Sequence, residues 1–464
     1  VTAADLGLFD GTSDIGSVGV PGHTSYAQDR YIVTGSGKNM WFATDECHFV
    51  WKRVQGDQAL TATIDFLGQG SDPHRKACLL IRANLDPDAA YADVAVHGDG
   101  LTSLQYRDGQ GELTHEVQSN VTGPRQVQIR RQGAYVTTMV QGAPSGGSVR
   151  LELPNTYYIG LAVCSHLHDV AETAVFSEVE LAQVTSPPTT LYSTLETIDI
   201  ASTDRRTVKV FDGWIEAPNW TADGRLIINS EGLLYSLPVS GGEAERVDTG
   251  FASRCNNDHG LSPDGTRIAI SDQSKDDGAS LIYTLPIGGG TPTRITAGAP
   301  SYWHGWSPDG RTLAYCAERD GRFGIFTIPS DGGVERRLTT ADHLDDGPDF
   351  SPDGAFIYFN SDRTGLMQIY RIPADGGTVQ RVTQDETADW FPHISPDGRW
   401  MVYVAFDAGV EGHPRDKDVS LILMELPEGT ARTIARIFGG QGTLNVPSWS
   451  PDSTRFAFVS YAYL

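Results

Sequence analysis

The chain has 464 residues, 39% hydrophobic and 20% charged, an ordinary globular composition in a length that exceeds one usual core, so two domains are expected. A formal charge of −24 argues against a nucleic-acid partner, because phosphate binding needs a basic field. No apolar run reaches the roughly 18–20 residues of a helical membrane span.

Residues 1–185 carry no internal repeat. They show short alternating segments, among them Leu60–Phe66, Ala77–Arg82, Ala92–Val96, Gln126–Arg130, Tyr135–Val140 and Tyr157–Val163, separated by Gly, Asp, Asn and Pro clusters. That pattern predicts an antiparallel β-sandwich. Its polar clusters, Asp72–Lys76, His97–Gly100 and His166–His168, read either as solvated loops in contact with the second domain or as a glycan-binding edge. The prolines of residues 186–190 mark a linker.

From residue 191 to 464 one turn returns six times: Thr221-Ala-Asp-Gly224, then Ser-Pro-Asp-Gly at 262–265, 307–310, 351–354 and 395–398, and Ser450-Pro-Asp-Ser453. The aligned aspartates are 41, 45, 44, 44 and 55 residues apart, the period of a propeller. Each repeat reads as four antiparallel strands. The chain closes with two strands, Asn445–Trp449 and Arg455–Val459, and the repeats are preceded by two more, Thr194–Ile200 and Thr207–Val210. Joining these pairs predicts a sixth blade built from both ends of the segment, which removes exposed sheet edges. The expected fold is therefore all-β, a sandwich followed by a six-bladed propeller. Cys47, Cys78, Cys164, Cys255 and Cys316 lie in or beside apolar strands without metal-type spacing and read as buried free thiols, with disulfides in the first domain as the alternative.

The Ser-Pro-Asp-Gly repeat resembles that of the TolB-type, WD40-like propeller family over about residues 190–464, and the propellers of oligogalacturonate lyases share it. TolB itself carries a different, α/β N-terminal domain, so its Tol–Pal envelope role does not carry over. The first half resembles the concanavalin-like jelly rolls attached to bacterial carbohydrate-active proteins. These resemblances imply a periplasmic or secreted protein; the start at Val1 suits a removed signal peptide and a trimmed chain equally.

Chemistry is sought where the repeats differ, because the repeated turn itself is structural: Pro presets φ, Asp caps the backbone and Gly takes a positive φ. The segments leading into the innermost strands collect Arg254, Asn257, Asp258, His259, Trp303, His304, Asp345, Asp346, Asp349, Trp390, Phe391, His393, Gln441 and Asn445. The long fifth interval adds a loop, 407–418, with Glu411, His413, Arg415 and Lys417, read as a wall over a central funnel.

Within this set His259, His393, His413, Glu411, Asp258 and Arg415 are the candidate catalytic groups. Asn257, Trp303, Asp345, Asp346, Trp390, Lys417 and Asn445 are the candidate substrate contacts. Imidazoles from different blades can hold a divalent ion, and the lyase resemblance implies such a set in His259, His304, His393 and Gln441 for Mn, Ca or Zn. A lyase needs a base and a cation for the uronate carboxylate, whereas a hydrolase needs two opposed carboxylates. Arg254, Arg415 and Lys417 offer the first, and Asp258, Asp345, Asp346, Asp349 and Glu411 the second. Two functions remain open: a lyase or glycosidase acting on an oligosaccharide or polysaccharide, with the sandwich packed on the propeller as an accessory, and a non-catalytic scaffold binding a glycan or a protein.

Overall fold

A computed structural model describes residues 5–185, 189–275, 278–340, 342–427 and 429–464, and among them it contains strands and no α-helix. The chain clusters into two compact units, one of Val1–Thr190, Asp204–Val210 and Ala462–Leu464, the other of Leu191–Thr203 and Phe211–Tyr461. Ser186, Pro187 and Pro188 of the expected linker lie outside the described residues.

The first unit holds two sheets. One has the order Ala143–Arg150, Tyr135–Val140, Gln126–Gln132, Gln58–Leu67, Leu167–Gln183, Arg30–Gly37, His23–Ala27. The other runs Gly11–Ile15, Cys47–Gln55, Thr156–Cys164, Lys76–Arg82, Tyr91–His97, Thr102–Arg107, His115–Gln118. Alternation decides what each strand buries: Leu79, Ile81, Val94 and Ile159 of the second sheet share a core with Val33, Leu60, Ile129 and Phe176 of the first. These two antiparallel sheets around one core make a β-sandwich. The intervening side chains of the second sheet point away from that core, and there Arg82 and Arg107 meet Asp45, all fully buried. All five cysteines are free and buried, as their apolar surroundings predict.

The second unit contains five four-stranded antiparallel sheets, which begin with the innermost strands Glu216–Trp220, Cys255–Leu261, Ser301–Trp306, Asp345–Phe350 and Ala388–Ile394. The expected sixth blade does not form as a four-stranded sheet. Leu191–Asp199 and Arg455–Tyr463 do lie side by side. Residues 445–449, however, contribute only an isolated bridge between Trp449 and Phe456, because Pro447 has no N–H to place in a ladder. Arg205–Asp212, read as a blade strand, falls largely in the first unit, where it pairs in parallel with His115–Gln118.

The repeated turn explains the regular blades. In the second repeat Ser262 Oγ donates to Asp264 at 2.6 Å and accepts from the Arg267 N–H at 2.9 Å, Asp264 accepts from the Thr266 N–H at 3.0 Å, and Gly265 takes φ +68. The same Ser-to-Asp bond recurs at 2.6 Å at Asp309, Asp353, Asp397 and Asp452. Trp306 and Trp449 then staple blades together, their Nε1–H groups donating to the Gly260 and His393 carbonyls at 3.0 and 3.1 Å.

The Ser262 hydroxyl and Thr266 donors hold the Asp264 carboxyl down from 3.8 to about 2. A depressed carboxyl stabilises the fold above its unfolded pKa, and that contribution is lost as pH falls through the folded value. Asp264→Asn therefore melts below the parent at pH 6, and the gap narrows between pH 4 and 2. Circular dichroism melts across that range check it; a gap independent of pH would refute the electrostatic account.

Candidate functional site

Each of the five innermost strands carries a register shift against its neighbour, at Glu216/Asn219, Cys255/His259, Trp303/Gly305, Asp346/Asp349 and Trp390/His393. A bulge inserts a residue and re-aims the side chains beside it, and repeated from blade to blade it turns polar groups off the ladder. The backbone pays locally for this: Ala217, Gly347 and Phe391 take φ of 55, 60 and 56. At Gly347 an added Cβ would stand 2.7 Å from Asn360 Oδ1 and 2.9 Å from the Phe391 ring, so glycine is needed there for space as well as for φ.

The bulged segments and the loop after Phe406 surround a cavity of about 610 Å³. Asn256, Asn257 and Asp258 line it from the second blade, Tyr302 and His304 from the third, Asp346 from the fourth, and Trp390 and Phe391 from the fifth. Glu411, Gly412, His413 and Pro414 close one side, with Gln441 and Asn445 beyond. The long loop is shorter than expected, since Arg415–Glu425 is already strand and takes Asp416 and Lys417 with it.

A carboxylate–imidazole chain occupies the wall. His304 Nε2 lies 3.3 Å from Asp346 Oδ1, and His413 Nε2 lies 3.7 Å from Asp346 Oδ2. Burial alone would raise Asp346, yet the His304 hydrogen bond and the charges of His304 and His413 bring it down to about 2. Burial alone would lower His304, but Asp258 and Asp346 outweigh it and raise the imidazole. Burial also pushes the Asp258 carboxyl up to about 7, with His304 opposing and the charges of Asp346 and Glu216 reinforcing. His413 is lowered by burial against the pull of Asp346. Three polar atoms of lining residues have no protein partner: His304 Nδ1, His413 Nδ1 and Trp390 Nε1.

Nine of the expected site residues meet at this cavity: Asn257, Asp258, His304, Asp346, Trp390, Glu411, His413, Gln441 and Asn445. The others are employed elsewhere. His259 Nδ1 bonds Asn219 at 2.6 Å, and burial lowers its pKa to about 3. His393 sits between Asp349, 3.3 Å from Nδ1, and the Leu444 carbonyl, 3.3 Å from Nε2. Asp345 pairs with Arg363 at 2.9 Å. Trp303 is buried over Gly260, where a Cβ would stand 2.0 Å from its ring, so it packs the blade and offers no face for stacking. Arg415 lies 4.3 Å over the Trp214 ring and 3.2 Å from Asp416, while Arg254 and Lys417 are exposed.

The metal set is thereby corrected. His393 has both ring nitrogens within bonding distance of protein acceptors, His259 has one nitrogen taken up by Asn219, and His304 turns Nε2 to Asp346. Among the described residues no group of three or more His, Cys, Asp and Glu side chains is arranged to hold a metal ion. The reading from sequence also missed Glu216, whose Oε2 lies 3.4 Å from Asn257 Nδ2 and whose carboxyl is raised by burial. The segment Trp214–Asn219 leads into the innermost strand of the first blade, as 254–259 does in the second, and that equivalence was the available signal.

Residues 297–423 match the family model described as the TolB beta propeller domain. An uncharacterized protein of Agrobacterium fabrum, Atu1656, is 52% identical over 279 residues, 60% of this chain and 95% of that protein. The solved structure of a TolB candidate from Agrobacterium tumefaciens is 51% identical, covers 59% of this chain and 99% of its own, and superposes with a TM-score of 0.58. An oligogalacturonate lyase in complex with manganese is 16% identical over 57% of this chain and 82% of its own, with a TM-score of 0.39, too distant to carry a substrate or a metal across. With the Agrobacterium tumefaciens structure 51% identical and matched over 99% of its length, the chain belongs to the TolB-type β-propeller family.

Proposed function

We propose that this protein is a non-catalytic binding scaffold of the TolB type, which seats one polar group of its ligand in the funnel. The observation that carries this reading is the funnel's lining. Polar side chains from four blades and the loop after Phe406, among them Asn257, Asp258, His304, Asp346, His413 and Asn445, line a space of about 610 Å³, within the usual range for ligand pockets, with no metal cluster among the described residues and no lysine or arginine among the lining residues. Hydrogen-bonding side chains are present, while no lysine or arginine stands in the wall to neutralise a uronate carboxylate. The Tyr302 and Phe323 rings are the partly exposed aromatic surfaces of the lining, because Trp390 and Phe391 are buried against His413 at 4.4 and 4.9 Å. The location that accords with this role is the periplasm or the extracellular space, which cell fractionation tests directly.

Incubation with a panel of neutral, amino and uronate oligosaccharides, read by mass spectrometry and by thermal shift, tests the proposal. The expected result is thermal protection by at least one ligand that is recovered intact, and loss of that protection in His413→Ala. Hydrated or unsaturated fragments, appearing with the parent and missing from Asp258→Asn, would return the site to a hydrolase or a lyase.

A further inference from the structure

The charge of the funnel says which polar group it takes. Asp258, Asp346 and Glu411 line it, and Glu216 stands behind Asn257. The lining holds no lysine or arginine, and its two imidazoles, His304 and His413, lie beside Asp346. Asp258 receives Asn256 Nδ2 at 2.9 Å and forms no ion pair among the described residues, and neither does Glu411.

Tyr302 and Phe323 add ring faces, which attract a cation electrostatically. The formal charge of −24 draws cations towards the protein and slows anions.

Resting on the binding reading above, we propose that the group received by the funnel is a primary ammonium on a short carbon stem, as an amino sugar or a lysine side chain presents it. The ammonium supplies donors to the Asp258 carboxyl and to Glu411. Its stem lies against Tyr302 and Phe323. A uronate carboxylate would face three acidic side chains with no lysine or arginine to offset them, and is rejected.

Isothermal titration of the full chain with matched probes tests this. Glucosamine is compared with N-acetylglucosamine, which keeps the ring and removes the charge; Nα-acetyl-lysine amide is compared with its Nε-acetylated form; galacturonate is the anionic control. The expected result is at least roughly tenfold tighter binding of one charged probe over its acetylated partner, and weaker binding at higher salt. Glu411→Gln, on an exposed loop where folding is not at stake, weakens that probe about two- to fivefold, and Asp258→Asn weakens it further.

The arm that binds identifies the source, an amino glycan or a polypeptide. Equal binding of charged and acetylated probes, or preference for galacturonate, overturns the ammonium assignment and leaves the scaffold reading standing. If neither amine binds while a neutral oligosaccharide does, the assignment fails in the same way; if no probe or oligosaccharide binds at all, both readings fall.

Discussion

Replacing Asp45 with alanine lowers the stability of the sandwich unit by about 3–5 kcal/mol, the usual cost of breaking a buried ion cluster by removing one partner. Asp45, Arg82 and Arg107 have no exposed side-chain surface. Arg82 Nη1 donates to Asp45 Oδ2 at 2.5 Å, and Arg107 donates to both carboxylate oxygens at 2.8 and 3.0 Å. The remaining donors of the two guanidiniums reach the carbonyls of Asn84, Asp86, Ala89, Phe42 and Glu112, so the cluster ties the hairpin at residues 40–45 to the sheet and its loops. Without the carboxylate, two like charges remain buried around the Tyr91 ring, 5.7 and 5.0 Å from its centroid. Hydrogen exchange on the full chain is the measurement. Amides of Lys76–Arg82 and Tyr91–His97 exchange faster in Asp45→Ala, whereas those of the five regular blades do not. Should that variant fail to fold, Asp45→Asn keeps the shape and half of the hydrogen bonding and gives the same pattern at lower amplitude. A loss below about 1 kcal/mol would mean that water or a rearranged loop neutralises the arginines.

Such a cluster was not legible in the sequence, because Asp45, Arg82 and Arg107 are far apart in the chain and each is unremarkable by itself. What was legible is what repeats or alternates locally. The Ser-Pro-Asp-Gly period gave five blades because each turn is closed by its own residues, as the Ser262–Asp264–Thr266 bonds show. The sixth blade failed as a four-stranded sheet because residues 445–449 supply only the Trp449–Phe456 bridge, Pro447 having no N–H for a ladder, and a single proline does not announce that loss in an otherwise apolar run.

The funnel was legible as the set of places where the repeats depart from each other, which brought Asp258, His304, Asp346, Trp390 and His413 together correctly. Depth was not legible. His304 is itself the residue left between paired Trp303 and Gly305 and reached the cavity, whereas His259, the same three positions before its turn, and His393 are paired past their register shifts and went to Asn219 and Asp349.

Asp346→Asn is the change that reaches furthest into the site, because one carboxylate holds both imidazoles. The amide keeps an acceptor for His304 Nε2 but removes the charge. The His304 pKa therefore falls, and the Asp258 carboxyl loses a repelling neighbour. The effect on stability has a defined pH window. The raised His304 stabilises the fold fully below its unfolded value of 6.5, and this is lost as pH rises through its folded value. The depressed Asp346 stabilises above 3.8, and this is lost as pH falls towards about 2. The two conditions overlap between about pH 4 and 6.5, so the Tm difference between parent and Asp346→Asn is largest there and narrows on both sides. Removing one charge from a pair of which His304 is nearly fully buried costs on the order of 3 kcal/mol within that window. Thermal melts from pH 3 to 9, with the His304 ring followed by NMR, measure both quantities on the same samples. A histidine titration that stays in place after the substitution would assign the raised pKa to Asp258 instead. In that case the funnel is organised around the Asp258–His304 pair, and His413 is held only by the Trp390 and Phe391 rings.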